Sequence, residues 1–89
     1  MLIQLEVIMS EIQEYDLVVV DQDILASDKE TKQPILLRKG QVGTVLMDFD
    51  GEAYLIDFAD KEGTTYAMET ISKGKLIPLL YQPVTIQAS

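Results

Sequence analysis

The chain has no cysteine, no histidine and no tryptophan, and Arg38 is its one arginine. Without cysteine there is no disulfide framework, no thiolate metal site and no thiol nucleophile. Without histidine, the usual general base near neutral pH and the commonest metal ligand are both missing. Basic charge is also scarce: seven Lys and Arg face fifteen Asp and Glu, for a formal net charge of -8. The imbalance is even, with eight acids and four bases in residues 1–45 and seven acids and three bases in residues 46–89. There is thus neither an acidic tail nor a basic patch. Such a chain is repelled by a phosphate backbone and by an anionic lipid surface. A basic protein partner is electrostatically favoured.

Long hydrophobic runs are missing as well. Met1-Leu2-Ile3-Gln4-Leu5-Glu6-Val7-Ile8-Met9 is apolar but short, carries no Lys or Arg, and is interrupted by Glu6. A secretory signal needs a basic start and an unbroken apolar stretch, and a membrane span needs about 20 apolar residues. The expectation is a cytoplasmic protein with no membrane contact, whose native start is either Met1 or Met9.

What is present fits one small globular domain: 89 residues, 47% hydrophobic and 25% charged. A domain this size buries only roughly 60–65% of its unfolded surface, so each apolar face has to be used. All five glycines lie in the second half, at Gly40, Gly43, Gly51, Gly63 and Gly74, close to where short strands would turn.

The clearest element is a hairpin. Thr44-Val45-Leu46-Met47-Asp48-Phe49 and Glu52-Ala53-Tyr54-Leu55-Ile56-Asp57-Phe58 flank Asp50-Gly51, a pair suited to the positive φ angles of a type I′ turn. A two-residue loop would set Phe49 opposite Glu52, Met47 opposite Tyr54 and Val45 opposite Ile56. The inner face would then hold Val45, Met47, Phe49, Tyr54, Ile56 and Phe58. The outer face would hold Thr44, Leu46, Asp48, Ala53, Leu55 and Asp57.

A turn at Asp60-Lys61-Glu62-Gly63 leads to a strand from Thr64 to Ile71, with Tyr66 and Met68 expected in the core. Ser72-Lys73-Gly74-Lys75 is too short for an α-helix and suits one 3₁₀ turn. Leu76-Ile77-Pro78-Leu79 reads as a last strand, placed at an edge because Pro78 cannot donate to a ladder. Before the hairpin, Tyr15 to Val20 is a strand by its β-branched content. Asp21 to Gln33 reads as a long loop, and Ile35-Leu36-Leu37 packs back before Arg38-Lys39-Gly40 turns the chain. The expectation is an all-β fold: a small SH3-like barrel of about five short strands, with a long loop after the first and a 3₁₀ turn before the last. The barrel would span residues 15–80. Residues 1–14 would form an N-terminal extension able to add a strand, and residues 81–89 a C-terminal extension.

Lys39-Gly40-Gln41-Val42-Gly43-Thr44-Val45 resembles the glycine-valine signature of KOW and other SH3-like barrels. Gly40 suits the turn into the strand, and Gly43 a bulge or a close backbone approach. Together with Asp16-Leu17-Val18, Tyr54-Leu55-Ile56-Asp57-Phe58 and Leu76-Ile77-Pro78-Leu79, it resembles a family of small uncharacterised bacterial proteins, common in cyanobacteria. The resemblance runs over about residues 15–79. It rests on structural glycines and core positions and implies a fold rather than a chemistry. It further implies an antitoxin-like or immunity-like role beside a neighbouring gene product. Small SH3-like subunits of photosynthetic electron-transfer complexes share the Val-Gly-Thr-Val element, which gives the alternative of a structural or docking subunit.

Asp48, Asp50 and Glu52 alternate at the hairpin tip, but hard cations need several converging oxygens and Asp50 already has a turn role. No catalytic residue, metal or cofactor is expected, and nucleic-acid binding would need basic and stacking groups that the composition lacks. Leu46 and Leu55 stand out, because the expected register sets them opposite each other on a wet face. Three covers are open: the chain's own ends (Ile3, Leu5 and Val7, or Val84 and Ile86), a second copy in a homodimer, or another protein. Phe49 and Tyr81 are the candidate aromatic anchors beside them. The expected function is a small acidic, non-catalytic protein-interaction module.

Overall fold

A computed structural model describes residues 12–86. Seven strands run in the order β1 (Leu17–Val20), β2 (Ile24–Ser27), β3 (Pro34–Leu37), β4 (Val42–Phe49), β5 (Ala53–Ala59), β6 (Thr65–Ser72) and β7 (Leu76–Pro78). A 3₁₀ turn at Lys73–Lys75 precedes β7. Five strands form one antiparallel sheet in the order β6-β5-β4-β1-β7, and β2 and β3 form a separate hairpin. The protein is all-β, and its sheet arrangement is compatible with a small barrel-like fold. No helix among the described residues is long and apolar enough to cross a membrane.

Period-2 alternation builds the core. Val18 and Val20 of β1, Val45 of β4, Tyr54, Ile56 and Phe58 of β5, Ala67 and Ile71 of β6 and Leu76 of β7 all face inward. The β2–β3 hairpin covers this side with Ala26 and Leu37, and Ile12 joins the same cluster. The backbone N–H of Lys29 donates to the Tyr66 carbonyl at 2.8 Å, tying the hairpin to β6. Strand β7 lies at one sheet edge, with Pro78 opposite Val18.

Within the stretch Asp21 to Gln33 read as a long loop, Ile24–Ser27 forms strand β2, which pairs with β3 just beyond it. Ile24 pairs with Leu37 and Ala26 with Ile35, all at least half-buried, while Leu25 and Leu36 pair on the outside. Four-residue strands with one or two inward residues carry too little periodicity to stand out among polar neighbours. At the hairpin tip the Asp28 carboxylate accepts from the Glu30 and Thr31 amides at 2.9 Å each. These two bonds, Thr31 foremost, lower the Asp28 pKa from its ordinary value.

The β4–β5 hairpin differs in register from the expected one. Glu52 N–H donates to the Phe49 carbonyl at 3.1 Å, and Asp50 and Gly51 have φ of 56° and 71°, so both take the positive-φ positions of the turn. Ladder pairing, however, resumes between Phe49 and Ala53, followed by Asp48 with Tyr54 and Met47 with Leu55. Glu52 stays in the loop, where its carbonyl accepts from the Lys73 amide at 2.8 Å. A bulge between Val45 and Met47 then inserts Leu46 as an extra residue and restores Val45 opposite Ile56. The inward placement of Val45, Tyr54, Ile56 and Phe58 is kept. Met47 and Phe49 are turned outward, 48% and 42% exposed, instead of lying in the core. Met68 is likewise outside, and Tyr66 is half-buried against the core, its hydroxyl accepting from Gln41 Nε2 at 2.8 Å.

Candidate interaction face

The register fixes which side chains share the face of the five-stranded sheet opposite the core. Val19 sits between Val42 and Ile77. Beside them, Leu17, Thr44, Asp57 and Met68 form one row across four strands. Met47, Leu55 and Thr70 form the next, and Phe49, Ala53 and Ser72 the last, nearest the hairpin tip. Val42, Met47, Phe49, Met68 and Ile77 are exposed, while Leu17, Val19 and Leu55 are half-buried. Five strands at about 4.8 Å give a face about 20–25 Å wide.

Asp57 is the one ionisable residue at these ladder positions. It alternates outward between the buried Ile56 and Phe58. It is half-buried, and its Oδ1 is shielded from solvent with no hydrogen-bond partner among the described residues. An oxygen in that position has lost water and gained no donor.

The expected Leu46–Leu55 pair does not form. Leu55 lies across from Met47, and Leu46 is the unpaired, half-buried bulge residue. Phe49 belongs to the outer face near the hairpin tip. Tyr81 is 86% exposed in the segment after β7, away from any strand. Val84 and Ile86 are exposed too, and residues 81–86 contribute no strand to cover the sheet. Ile3, Leu5 and Val7 lie outside the described residues.

Of the glycines, Gly40 and Gly63 have φ of 95° and 86° at turns. Gly43 serves close packing rather than the bulge, which falls three residues later. A Cβ there would collide with the Ile56 side chain, stand 3.0 Å from Phe58 Cε1 and 3.2 Å from the Asp57 carbonyl oxygen. At the hairpin tip the Asp48 carboxylate is committed to the Gly51 amide, which donates to its Oδ1 at 2.7 Å.

The alternation that defines this face and the glycines that shape its inner side both fall within the segment recognised by a family profile. Residues 14–78 match a domain of unknown function, DUF4926. The chain belongs to the DUF4926 family. The match covers most of the chain and every strand described above. Comparison with curated proteins and with solved structures gave no match.

Several members of this DUF4926 face, Leu17, Val19, Val42, Met68 and Ile77, lie beyond what the hairpin pattern alone marks out. One signal was available. Leu17-Val18-Val19-Val20 is apolar at every position, the mark of a strand covered on both sides.

Proposed function

We propose that the protein is a non-catalytic, SH3-like interaction module that works in the cytoplasm and binds another protein through the outer face of its five-stranded sheet. One observation carries the reading. Nine apolar side chains, from Ile77 and Leu17 at one side to Leu55, Phe49 and Met68 at the other, share one face, and most are exposed. A small domain that leaves such a face open forgoes burial it needs, and large apolar patches rimmed by polar residues mark interaction sites. The net charge of -8 favours a basic partner and speeds its encounter at low salt. An antitoxin-like or immunity-like role falls within this reading.

Co-expression with the products of the neighbouring genes, followed by gel filtration, tests it. A complex that survives at micromolar concentration and is lost in Met47→Asp supports the reading. A wild-type chain that co-elutes with none of them, or a complex indifferent to Met47→Asp, refutes it.

A further inference from the structure

Strand β6 is one border of the five-stranded sheet, and its only ladder partner among the described residues is β5. In an antiparallel ladder, alternate residues turn their N–H and C=O groups toward the neighbour and away from it. Two bonds fix that phase here. The Lys73 amide donates to the Glu52 carbonyl at 2.8 Å, one step beyond the pairing of Ala53 with Ser72. Ile71 and Glu69 therefore bond toward β5, and Thr70 and Met68 turn their backbone groups outward. The Tyr66 carbonyl has the same outward phase, and it accepts from the Lys29 amide at 2.8 Å. The open stretch thus runs from this Lys29 contact to the 3₁₀ turn at Lys73–Lys75. Among the described residues, Met68 and Thr70 have no backbone partner on that side.

The side chains of this border carry one charge. Glu69 alternates with the buried Ala67 and Ile71 on the inner side, is half-buried, and has no ion-pair partner among the described residues. An inward-pointing charge on an edge strand discriminates among the strands that can join it. Because Glu69 bonds toward β5, an antiparallel newcomer would place a residue opposite it at a non-hydrogen-bonded position, where side chains come closest. A Lys or Arg there makes a favourable cross-strand pair, and like charge is disfavoured. The twofold pairing that joins the free groups of two copies sets Met68 opposite Thr70 and Glu69 directly against Glu69, between chains that each carry -8. Charge complementarity favours a basic strand over a second copy.

We infer that the β6 border takes an antiparallel strand of another protein, which bonds the backbone of Met68 and Thr70 and carries Lys or Arg opposite Glu69. The residues two places to either side of that cation face Ala67 and Ile71 and are apolar. This contact is edge-on and separate from the outer face proposed above, so it does not depend on Met47.

Two measurements on the full chain test it. Amide hydrogen exchange of the free chain should show Met68 and Thr70 exchanging faster than Glu69 and Ile71. Met68 and Thr70 amides already protected would mean that the chain itself or a second copy covers the border, and would overturn the inference. Random displayed peptides are then selected on the chain, and those still bound by Met47→Asp are resynthesised. Thermal unfolding confirms that each variant is folded, with Phe49→Asp in reserve for Met47→Asp. The expected consensus alternates apolar and polar residues around one Lys or Arg, and binding slows exchange at Met68 and Thr70. Affinity should fall about two- to fivefold in Glu69→Gln. N-methylation of peptide amides along one edge should weaken binding at least about fivefold, and along the other edge leave it unchanged. That comparison needs no protein variant. Affinity unchanged in Glu69→Gln, or N-methylation tolerated on both edges, would overturn the inference. If every selected peptide is lost in Met47→Asp, the outer-face reading is supported and this inference falls; no selected peptide at all also overturns it.

Discussion

Replacing Gly43 by Ala probes the packing at the centre of the sheet. The added methyl would meet the Ile56 side chain, Phe58 Cε1 at 3.0 Å and the Asp57 carbonyl oxygen at 3.2 Å. Ile56 and Phe58 are fully buried, so neither can swing into solvent. The carbonyl oxygen belongs to β5 and moves only with its strand. Overpacking of this kind costs about 1–3 kcal/mol, and three simultaneous contacts place Gly43→Ala toward the upper end. Alanine reduces the entropy of the unfolded chain, which returns about 0.4–1 kcal/mol. The net expectation is a destabilisation of about 1.5–2.5 kcal/mol, or a fall in Tm of roughly 6–20 °C for a domain of this size. Urea unfolding followed by circular dichroism measures it, with the slope unchanged and the midpoint lowered. A double-mutant cycle sharpens the attribution. Ile56→Ala removes the methyl that the new Cβ strikes, so the Gly43→Ala penalty should shrink by about 0.5–1 kcal/mol or more in that background. An unchanged midpoint in Gly43→Ala, or strict additivity in the cycle, would refute the packing argument.

Gly51→Ala is expected to be destabilising for another reason. Nothing lies within 4 Å of its would-be Cβ, but φ of +71° strains any L side chain, by about 1–2 kcal/mol, so its penalty should be independent of Ile56. Phe58→Ala empties a fully buried site and should lower stability by about 3–5 kcal/mol, a large part of what a small domain has, measured by the same urea titration. The Asp28 carboxyl has a pKa below its ordinary value because the Thr31 and Glu30 amides donate to it. A depressed folded-state pKa means that this turn is fully stabilised above the ordinary aspartate range and loses that stabilisation as pH falls through the lower, folded value. Amide chemical shifts of Glu30 and Thr31 followed by NMR should therefore titrate together below that range and stay flat in Asp28→Ala.

Much of the architecture was written into local pattern. The alternation Tyr54, Ile56, Phe58 marks the inner face of β5 whatever the register of its neighbour, because it needs only a pleated strand with one wet side. Pro78 points to an edge through its missing N–H, and Ser72 to Lys75 leaves room for a single 3₁₀ turn. What local pattern could not supply is how two strands slide past each other. Asp50-Gly51 specifies a turn, but whether Glu52 pairs or stays in the loop depends on Lys73, whose amide bonds the Glu52 carbonyl from another part of the chain. The Leu46 bulge compensates that slip, and nothing in the residues around it distinguishes a bulge from a regular strand. As a result Met47 and Phe49 lie on the face opposite the one a two-residue loop implies, while Val45 keeps the side that loop implies. The candidate face suffered most from this, since its membership depends on register across five strands. The Asp57 oxygen, without a hydrogen-bond partner among the described residues, is a tertiary fact that no local pattern shows.

The proline in β7 has a further bearing on assembly. A sheet grows sideways when a newcomer finds free N–H and C=O groups along its border. Here that border is three residues long, and its last position offers no hydrogen. Head-to-tail concatenation through this side is thus starved of bonds. Copies crowded together in a cell have little means of zipping into a ribbon along it, and a visitor arriving alongside the sheet is left with the β6 border instead.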